Sequence, residues 1–273
     1  MGSNFKEKHL KPLIAGVVFL LAYLPTLIWM WDRWYARDSY YSHGILIPVV
    51  SIILIWQMRW ELAKIKKSSS GWGLPLIITG MAVHVFGVLM RVYFVSGFSM
   101  LLVLVGLILF FYGKAVFKKI MFPVLFLVFM IPVPLVIIVN ISFKMKIFAA
   151  KIAAIVLNSS GIPAVREGSL IRMRHTQVVV DDVCSGLRSL ISLMALGSIF
   201  AYWMKATLGR KLALFLTAIP IAVITNVLRI IFLACVAEIW GVKIAGGFLH
   251  DASGFLVFAG AFVLLYVMAR VIE

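Results

Sequence analysis

The sequence predicts an all-α polytopic membrane protein with about eight transmembrane helices. Hydrophobic residues make up 63% of the chain and charged residues 13%, whereas soluble domains carry about 25% charged residues. Several apolar runs reach or approach the roughly 20 residues that a helix needs to cross a bilayer. The net charge of +16 is typical of lysine- and arginine-rich cytoplasmic loops, so we predict no nucleic-acid partner.

The first five predicted spans occupy the N-terminal half of the chain. They cover residues 12–31, 44–58, 74–90 and 94–112, and the fifth begins near residue 120. The first apolar stretch is long and lacks a small-residue cleavage site, so we interpret it as a retained span. Span five contains Pro123, Pro132 and Pro134, which predict a kink or break in its second half.

The hydrophobic pattern changes twice before the next span. Residues 143–157 alternate lysines with apolar residues as an interfacial amphipathic helix does. Residues 161–183 have the turn signal Glu167–Gly168 and a β-branched run at residues 178–180, which predict a small hairpin outside the bilayer. Spans six, seven and eight follow at residues 184–204, 212–238 and 250–269. No repeat or linker appears, so residues 1–273 are predicted to form a single integral-membrane domain.

The distribution of basic residues predicts the orientation. Basic residues gather at the N-terminus, at residues 59–67, 114–119 and 205–211, and at Arg270. Eight crossings place all five groups on one side, which the positive-inside rule makes cytoplasmic, with both termini inside. The hairpin then lies outside, as do Cys184 and His250 at the outer ends of spans six and eight.

Arg229 lies inside span seven, where insertion of an arginine costs about 2.5–3.5 kcal/mol. It therefore needs a partner or a water-filled cavity, and both a structural and a functional role are open. Asn226, one turn earlier, shares its helix face. Because Arg229 lies about nine residues below the outer end of span seven, we expect spans six and eight to begin below the membrane surface, around a recessed pocket.

Cys184 stands at the start of span six. A helix N-terminus and the nearby Arg188 lower the pKa of a thiol, whereas Asp181 and Asp182 oppose that effect. Position alone leaves a nucleophile and an apolar filler open, and filler is our interpretation of Cys235. Two cysteines without metal-ligand spacing predict no disulfide framework, no metal and no cofactor.

Cys184, His250 and Arg229 together suit acyl-transfer chemistry. They come from three predicted spans and face one outer cavity. A thiolate can attack a carbonyl, an imidazole can protonate the leaving amine, and a guanidinium can stabilise the oxyanion.

Three motifs around these residues resemble the exosortase/archaeosortase family of membrane cysteine transpeptidases. They are CSGLRSL at residues 184–190, PIAVITNVLRI at residues 220–230 and HDASGF at residues 250–255. YYSHG at residues 40–44, FPVLFLVFMIPVP at residues 122–134 and REGSLI at residues 166–171 agree as well. The CSG triplet is more typical of a bacterial exosortase. Because the chain ends soon after span eight, we expect a stand-alone form without a fused soluble domain.

The resemblance implies that Cys184 forms a thioester, His250 acts as general acid and base, and Arg229 stabilises the oxyanion or orients the substrate. The implied substrates are secreted proteins with a C-terminal sorting signal, cut on the outer face of the bacterial inner membrane. Such a signal is a short motif such as Pro-Glu-Pro, a transmembrane helix and a basic cluster. We hypothesise that the motif glutamate pairs with Arg188 or with the hairpin arginines Arg166, Arg172 and Arg174. The other predicted substrate-binding or supporting residues are Asn226, Ser185 and His43.

Two other classes remain open from the sequence. A transporter or channel could bind an anion at Arg229 beside the broken span five, and it would tolerate Cys184→Ala. A structural membrane subunit would have no chemistry at all.

Overall fold

The computed structural model describes residues 2–37, 39–180 and 186–273, and this part of the chain is mostly helical. Asp181, Asp182, Cys184 and Ser185 lie outside the described residues. The chain forms two compact units, Met1–Val133 and Pro134–Glu273.

The N-terminal unit is built from helices and two short 3-10 segments. In chain order these are α1 (Gly2–Ala22), α2 (Leu24–Tyr35), a 3-10 turn (Ser42–Ile45), α3 (Leu46–Gln57), α4 (Arg59–Lys64), α5 (Gly73–Leu89), α6 (Tyr93–Phe111), α7 (Gly113–Phe126) and a 3-10 extension of α7 (Leu127–Met130).

The first predicted span is two helices rather than one straight helix. The segments Leu10–Ala22 and Leu24–Tyr35 are bent by 59° at Tyr23. Pro25, which lacks a backbone N–H, stands in the first turn of α2 and cannot continue the hydrogen-bond ladder of α1. The span predicted at residues 12–31 therefore falls on two helices that meet at a bend.

A buried polar network lies against this bend. The Tyr23 hydroxyl is 2.9 Å from Ser99 Oγ, the Thr26 hydroxyl is 2.5 Å from Ser96 Oγ, and His84 Nδ1 is 2.7 Å from the same Ser96 oxygen. Each polar group thus has a partner inside the apolar interior, as burial requires. These contacts give the buried His84 a structural role in the packing of α5 against α6.

The predicted break in span five is confirmed. The helix ends at Met130, and α8 begins only after Pro134. Pro134 has no N–H to donate to the Met130 carbonyl, and Trp34 Nε1 donates to that carbonyl instead, at 2.8 Å. Gly44 makes room for the indole, because a Cβ there would lie 2.2 Å from Trp34 Nε1.

Two basic segments of this unit lie at the same end of its helices. Lys119 of α7 forms an ion pair with Glu61 of α4. Nearby in sequence, the Ser70 N–H donates to the Leu109 carbonyl near the end of α6, at 3.0 Å. The loops around residues 59–71 and 109–119 therefore meet.

The C-terminal unit combines long helices with a small sheet. Its elements are α8 (Leu135–Ser159), β1 (Val165–Glu167), β2 (Leu170–Arg172), β3 (Gln177–Val179), α9 (Leu187–Trp203), α10 (Leu208–Trp240), α11 (Val242–Ala245) and α12 (Phe248–Ile272).

The amphipathic helix expected at residues 143–157 is part of the longer α8, which starts directly after Pro134. Pro134 is the N-cap of this helix, with an extended ψ of 136°, and the helix begins eight residues earlier than expected. Its alanines, such as Ala150 and Ala153, are fully buried, while Lys144 and Lys151 are exposed. The exposed face also carries Phe143, Phe148 and Ile155, so the interfacial position of this segment stays a prediction.

The predicted hairpin is present and has a third strand. The strands are antiparallel in the order β1-β2-β3. Buried Ile171 and Val180 pack into a core cluster with Ile230 of α10 and the alanines of α8. At the turn before β3, the backbone N–H of His175 and the hydroxyl of Thr176 donate to the carboxylate of Glu238 on α10, both at 3.1 Å. The sheet is thereby fixed to the C-terminal end of α10.

The structure supports a membrane-embedded fold without fixing the number of crossings. Within the described residues, Tyr93–Phe111, Leu208–Trp240 and Phe248–Ile272 are long and apolar enough to cross a bilayer. The number rises to five if two pairs of helices separated by short breaks each count as one span. Each of the eight predicted spans overlaps a helix.

Candidate active site

Arg229 of α10 is hydrogen-bonded to the first two turns of α12. Its Nε donates to Ser253 Oγ at 3.1 Å, and its Nη2 donates to the carbonyl of His250 at 2.8 Å. Ser253, which is 4% exposed, donates its own proton to the same carbonyl at 2.8 Å. The intramembrane arginine predicted to need a partner therefore has two, and both belong to the HDASGF motif.

A glycine lets the guanidinium approach α12 closely. A Cβ at Gly254 would lie 3.1 Å from Arg229 Nη2 and 3.4 Å from its Cζ. Contacts this short require the arginine to shift. Three residues of the motif thus accommodate the planar guanidinium of Arg229. His250 provides a carbonyl, Ser253 provides a hydroxyl, and Gly254 leaves space because it has no side chain.

The start of α9 packs against the same face of α10. Gly186, two residues after Cys184 in the sequence, precedes α9 with φ at 77°, a conformation that favours glycine. A Cβ at Gly186 would lie 2.8 Å from Asn226 Cγ. The beginning of α9 is therefore placed one helical turn from Arg229.

Along the axis of α10, the first turns of α9 and α12 lie far from the C-terminal end of α10. Asn226 and Arg229 mark the levels at which α9 and α12 start, and α10 continues for eleven residues beyond Arg229 to Trp240. At 1.5 Å per residue this is about 16 Å. The two helix starts are therefore recessed relative to the end of α10, and their depth relative to the membrane surface stays a prediction.

Arg188 lies in the first turn of α9 and is half-buried. Among the described residues, no hydrogen bond or ion pair involves its guanidinium. A cation in this position suits a carboxylate ligand.

His43 belongs to the N-terminal unit, where it sits in the 3-10 turn just before the span predicted from residue 44. Its ring faces that of Tyr41 at 6.0 Å. Its role in substrate binding stays a prediction.

Sequence reasoning missed three residues of this site: Gly186, Ser253 and Gly254. A serine three residues after a helix-starting histidine lies on the same helix face, so Ser253 could have been inferred once His250 was singled out. The two glycines carry no such signal, because their importance depends on side chains of α10 that approach them from another part of the chain.

Cys235 lies in the last third of α10 and packs, partly buried, against the cluster that contains Ile230. This is the setting of an apolar filler. Within the described residues, no group of three or more His, Cys, Asp or Glu side chains could hold a metal ion.

The family model for transmembrane exosortases matches residues 31–267. The chain belongs to the exosortase family. The match includes both units of this exosortase and all three motifs around Cys184, Arg229 and His250. No curated protein and no solved structure matches the chain.

Proposed function

We propose that this exosortase is a cysteine transpeptidase or peptidase that cleaves the C-terminal sorting signal of secreted proteins on the outer face of the bacterial inner membrane. The observation that carries the proposal is the pair of hydrogen bonds from Arg229 to the start of α12. It brings the predicted oxyanion donor to the backbone of the predicted general acid and base, His250. Family membership supports the same reaction class.

The proposed reaction has two halves. The thiolate of Cys184 attacks the scissile carbonyl carbon, and a C–S bond forms as the carbonyl electrons move onto oxygen. When the tetrahedral intermediate collapses, the C–N bond breaks and His250 gives a proton to the leaving amine. Water or an acceptor amine then attacks the thioester, His250 takes a proton from this nucleophile, and the thiolate is released.

Arg229 can serve both as a structural anchor and as an oxyanion donor. Its Nε and one N–H of Nη2 are used on Ser253 and His250. A guanidinium has five N–H donors, and among the described residues the Nη1 edge of Arg229 has no hydrogen-bond acceptor. We propose that this edge serves charge that develops on the substrate. Because α12 fixes the guanidinium plane, these donors are preorganised, which is what electrostatic stabilisation of a transition state requires. Asn226 supports this arrangement by packing against the start of α9.

The proposed substrate is a secreted protein whose sorting motif contains a carboxylate. Arg188 is the first candidate for that carboxylate because it is half-buried without a partner among the described residues. The hairpin arginines are weaker candidates, since Arg172 already bonds the exposed carboxylate of Glu167 at 3.1 Å. Ser185 and His43 remain proposed substrate-binding or supporting residues on the strength of their motifs.

We also propose eight crossings with both termini inside. In the C-terminal unit, the backbone N–H of Lys205 and the side chain of Arg210 donate to Glu273 at 3.3 and 2.9 Å. The basic loop before α10 therefore lies beside the C-terminus, as one cytoplasmic end requires. The sheet is attached by Glu238 at the opposite end of α10, which supports an outer position for the sheet.

A transporter or channel is the alternative function. It would use Arg229 to hold an anion. That role is less favoured, because the Nε and Nη2 pair, which suits bidentate anion binding, is already occupied by α12.

The reaction can be tested by trapping the covalent intermediate. The purified exosortase would be incubated with a protein that carries a C-terminal sorting signal, then denatured at low pH. We expect a hydroxylamine-sensitive adduct on Cys184, and none in Cys184→Ala. An adduct that persists in Cys184→Ala would contradict the proposed nucleophile.

A further inference from the structure

The strand β3 forms one edge of the three-stranded sheet. Its register with β2 shows which backbone groups face outward. The N–H of Val180 donates to the carbonyl of Ser169, and the N–H of Met173 donates to the carbonyl of Thr176. In an antiparallel pair, hydrogen-bonded positions alternate with positions that face away. The backbone groups of Val178 therefore face β2, and those of Gln177 and Val179 face the open edge.

This edge is unpaired in the part of the chain that the structure describes, where no hydrogen bond reaches the outward N–H and carbonyl groups of Gln177 and Val179. Exposed edges of this kind pair readily with another extended chain. With two outward residues, β3 offers two N–H donors and two carbonyl acceptors to such a chain.

A cavity of about 500 Å³ adjoins the edge. Its walls include the backbone of β3, Ile230 and Leu233 of α10, Val242 of α11, and His250 at the start of α12. The volume falls within the range of ligand sites, which are mostly apolar with a few polar groups. The cavity therefore runs from an unpaired strand edge to the proposed general acid and base.

We propose that the extended segment of the substrate beside the scissile bond docks here as a fourth strand on β3. This inference rests on the proposed function, and it adds the mode of substrate binding. Main-chain hydrogen bonds to Gln177 and Val179 hold the segment, and the apolar wall receives side chains that point the same way as Val178. Strand addition of this kind binds through the backbone and selects through pockets for alternate side chains.

The cavity's continuity with His250 makes the substrate the occupant, rather than a second copy of the chain. Strand addition also suits a motif with prolines at alternate positions. In a paired strand only every second residue directs its N–H to the neighbour, so prolines at the intervening positions lose no hydrogen bond. A glutamate between two prolines can donate its own N–H to β3.

The first test removes one outward donor. Val179→Pro deletes the N–H of Val179 at an edge where proline is tolerated, whereas Val179→Ala shortens the side chain and keeps the N–H. We expect Val179→Pro to lower substrate cleavage about tenfold, consistent with the loss of one hydrogen bond, and Val179→Ala to retain at least five times the cleavage of Val179→Pro. Equal cleavage by the two variants would overturn the proposal.

The second test measures substrate docking without cleavage. It tests the docking proposal even if Val179→Pro fails to fold. A photo-crosslinking amino acid is placed at Val242, which is 51% exposed at the cavity, in a Cys184→Ala background. The control site is Val165 on β1, the opposite edge strand, which is 63% exposed. We expect the substrate segment to be captured from Val242 and not from Val165. Equal capture from both sites, or none from Val242, would overturn the docking mode.

The two proposals can fail separately. If the wild type does not cleave the substrate while Val242 still captures it, the docking mode stands and the proposed chemistry fails. If the wild type cleaves and Val242 captures nothing, the chemistry stands and the docking mode fails.

Discussion

The Nη2 of Arg229 donates a hydrogen bond to the backbone carbonyl of His250 at 2.8 Å. This contact joins α10 to α12, eleven residues before the C-terminal end of α10. It also accounts for an arginine within an apolar helix, because the guanidinium is satisfied by a carbonyl and the hydroxyl of Ser253. The same contact that stabilises the arginine fixes its orientation toward the proposed reaction centre.

Arg229→Lys tests whether the reaction needs the planar, forked guanidinium or only its positive charge. A lysine keeps the positive charge but cannot bond Ser253 and His250 in one plane while presenting a further edge to substrate. We expect substrate cleavage to fall at least 100-fold, the lower end of the loss when an oxyanion donor is removed. The shortened product would be quantified by immunoblot at matched enzyme levels, and near-wild-type cleavage would contradict a catalytic role.

Ser253→Ala should reduce activity by loosening the guanidinium. It removes the acceptor of Arg229 Nε, and an unmatched buried donor costs about 1–3 kcal/mol. We expect cleavage to fall about tenfold. Ser198→Ala is the matched control, because Ser198 makes the same hydroxyl bond to a carbonyl three residues earlier but none to an arginine. Similar losses in both variants would show that the serine acts only on its own helix.

Gly186→Ala should disturb the start of α9 more than a positive φ alone would. An L-residue in the left-handed region costs about 1–2 kcal/mol, and here its Cβ would also come 2.8 Å from Asn226. Gly168→Ala is the control, since Gly168 has φ at 65° but nothing within 4 Å of the added Cβ. We expect Gly186→Ala to lower both cleavage and thermal stability in detergent by more than Gly168→Ala. Equal effects would mean that the contact with Asn226 is unimportant.

Glu238→Ala should release the sheet from α10. The carboxylate accepts from the His175 N–H and the Thr176 hydroxyl, and without it the turn before β3 loses its anchor. We expect faster amide hydrogen exchange over residues 170–179 and weaker substrate cleavage. The control is Glu167→Ala, which removes an exposed carboxylate that pairs with the exposed Arg172 and should change little. Unchanged exchange in Glu238→Ala would contradict the anchoring role.

The sequence predicted the helices well where a long apolar run decides the structure. Runs such as those of α6 and α10 must satisfy their backbone groups internally in a membrane, so their position follows from composition. The bend inside the first predicted span was not foreseen, because Pro25 lies within a long apolar run and the prediction there followed hydropathy. The bend is then stabilised by partners such as Ser99, which lie far along the chain.

The candidate site was predictable to the extent that its chemistry is local. Arg229 was conspicuous because a charge inside a span is costly, and His250 because it opens a helix. The bond between them was not predictable, since it depends on the level at which α12 meets α10. That level is set by packing and by the small residues Ser253 and Gly254, which no composition argument distinguishes from other serines and glycines.

The most direct test of the central claim compares the two cysteines of the chain. The wild type, Cys184→Ala and Cys235→Ala would each be co-expressed with a secreted protein that carries a C-terminal sorting signal, and the size of that protein would be followed. Cys235 packs against an apolar cluster, so Cys235→Ala is expected to yield the shortened product as the wild type does, while Cys184→Ala yields none. A shortened product formed by Cys184→Ala would contradict the cysteine mechanism.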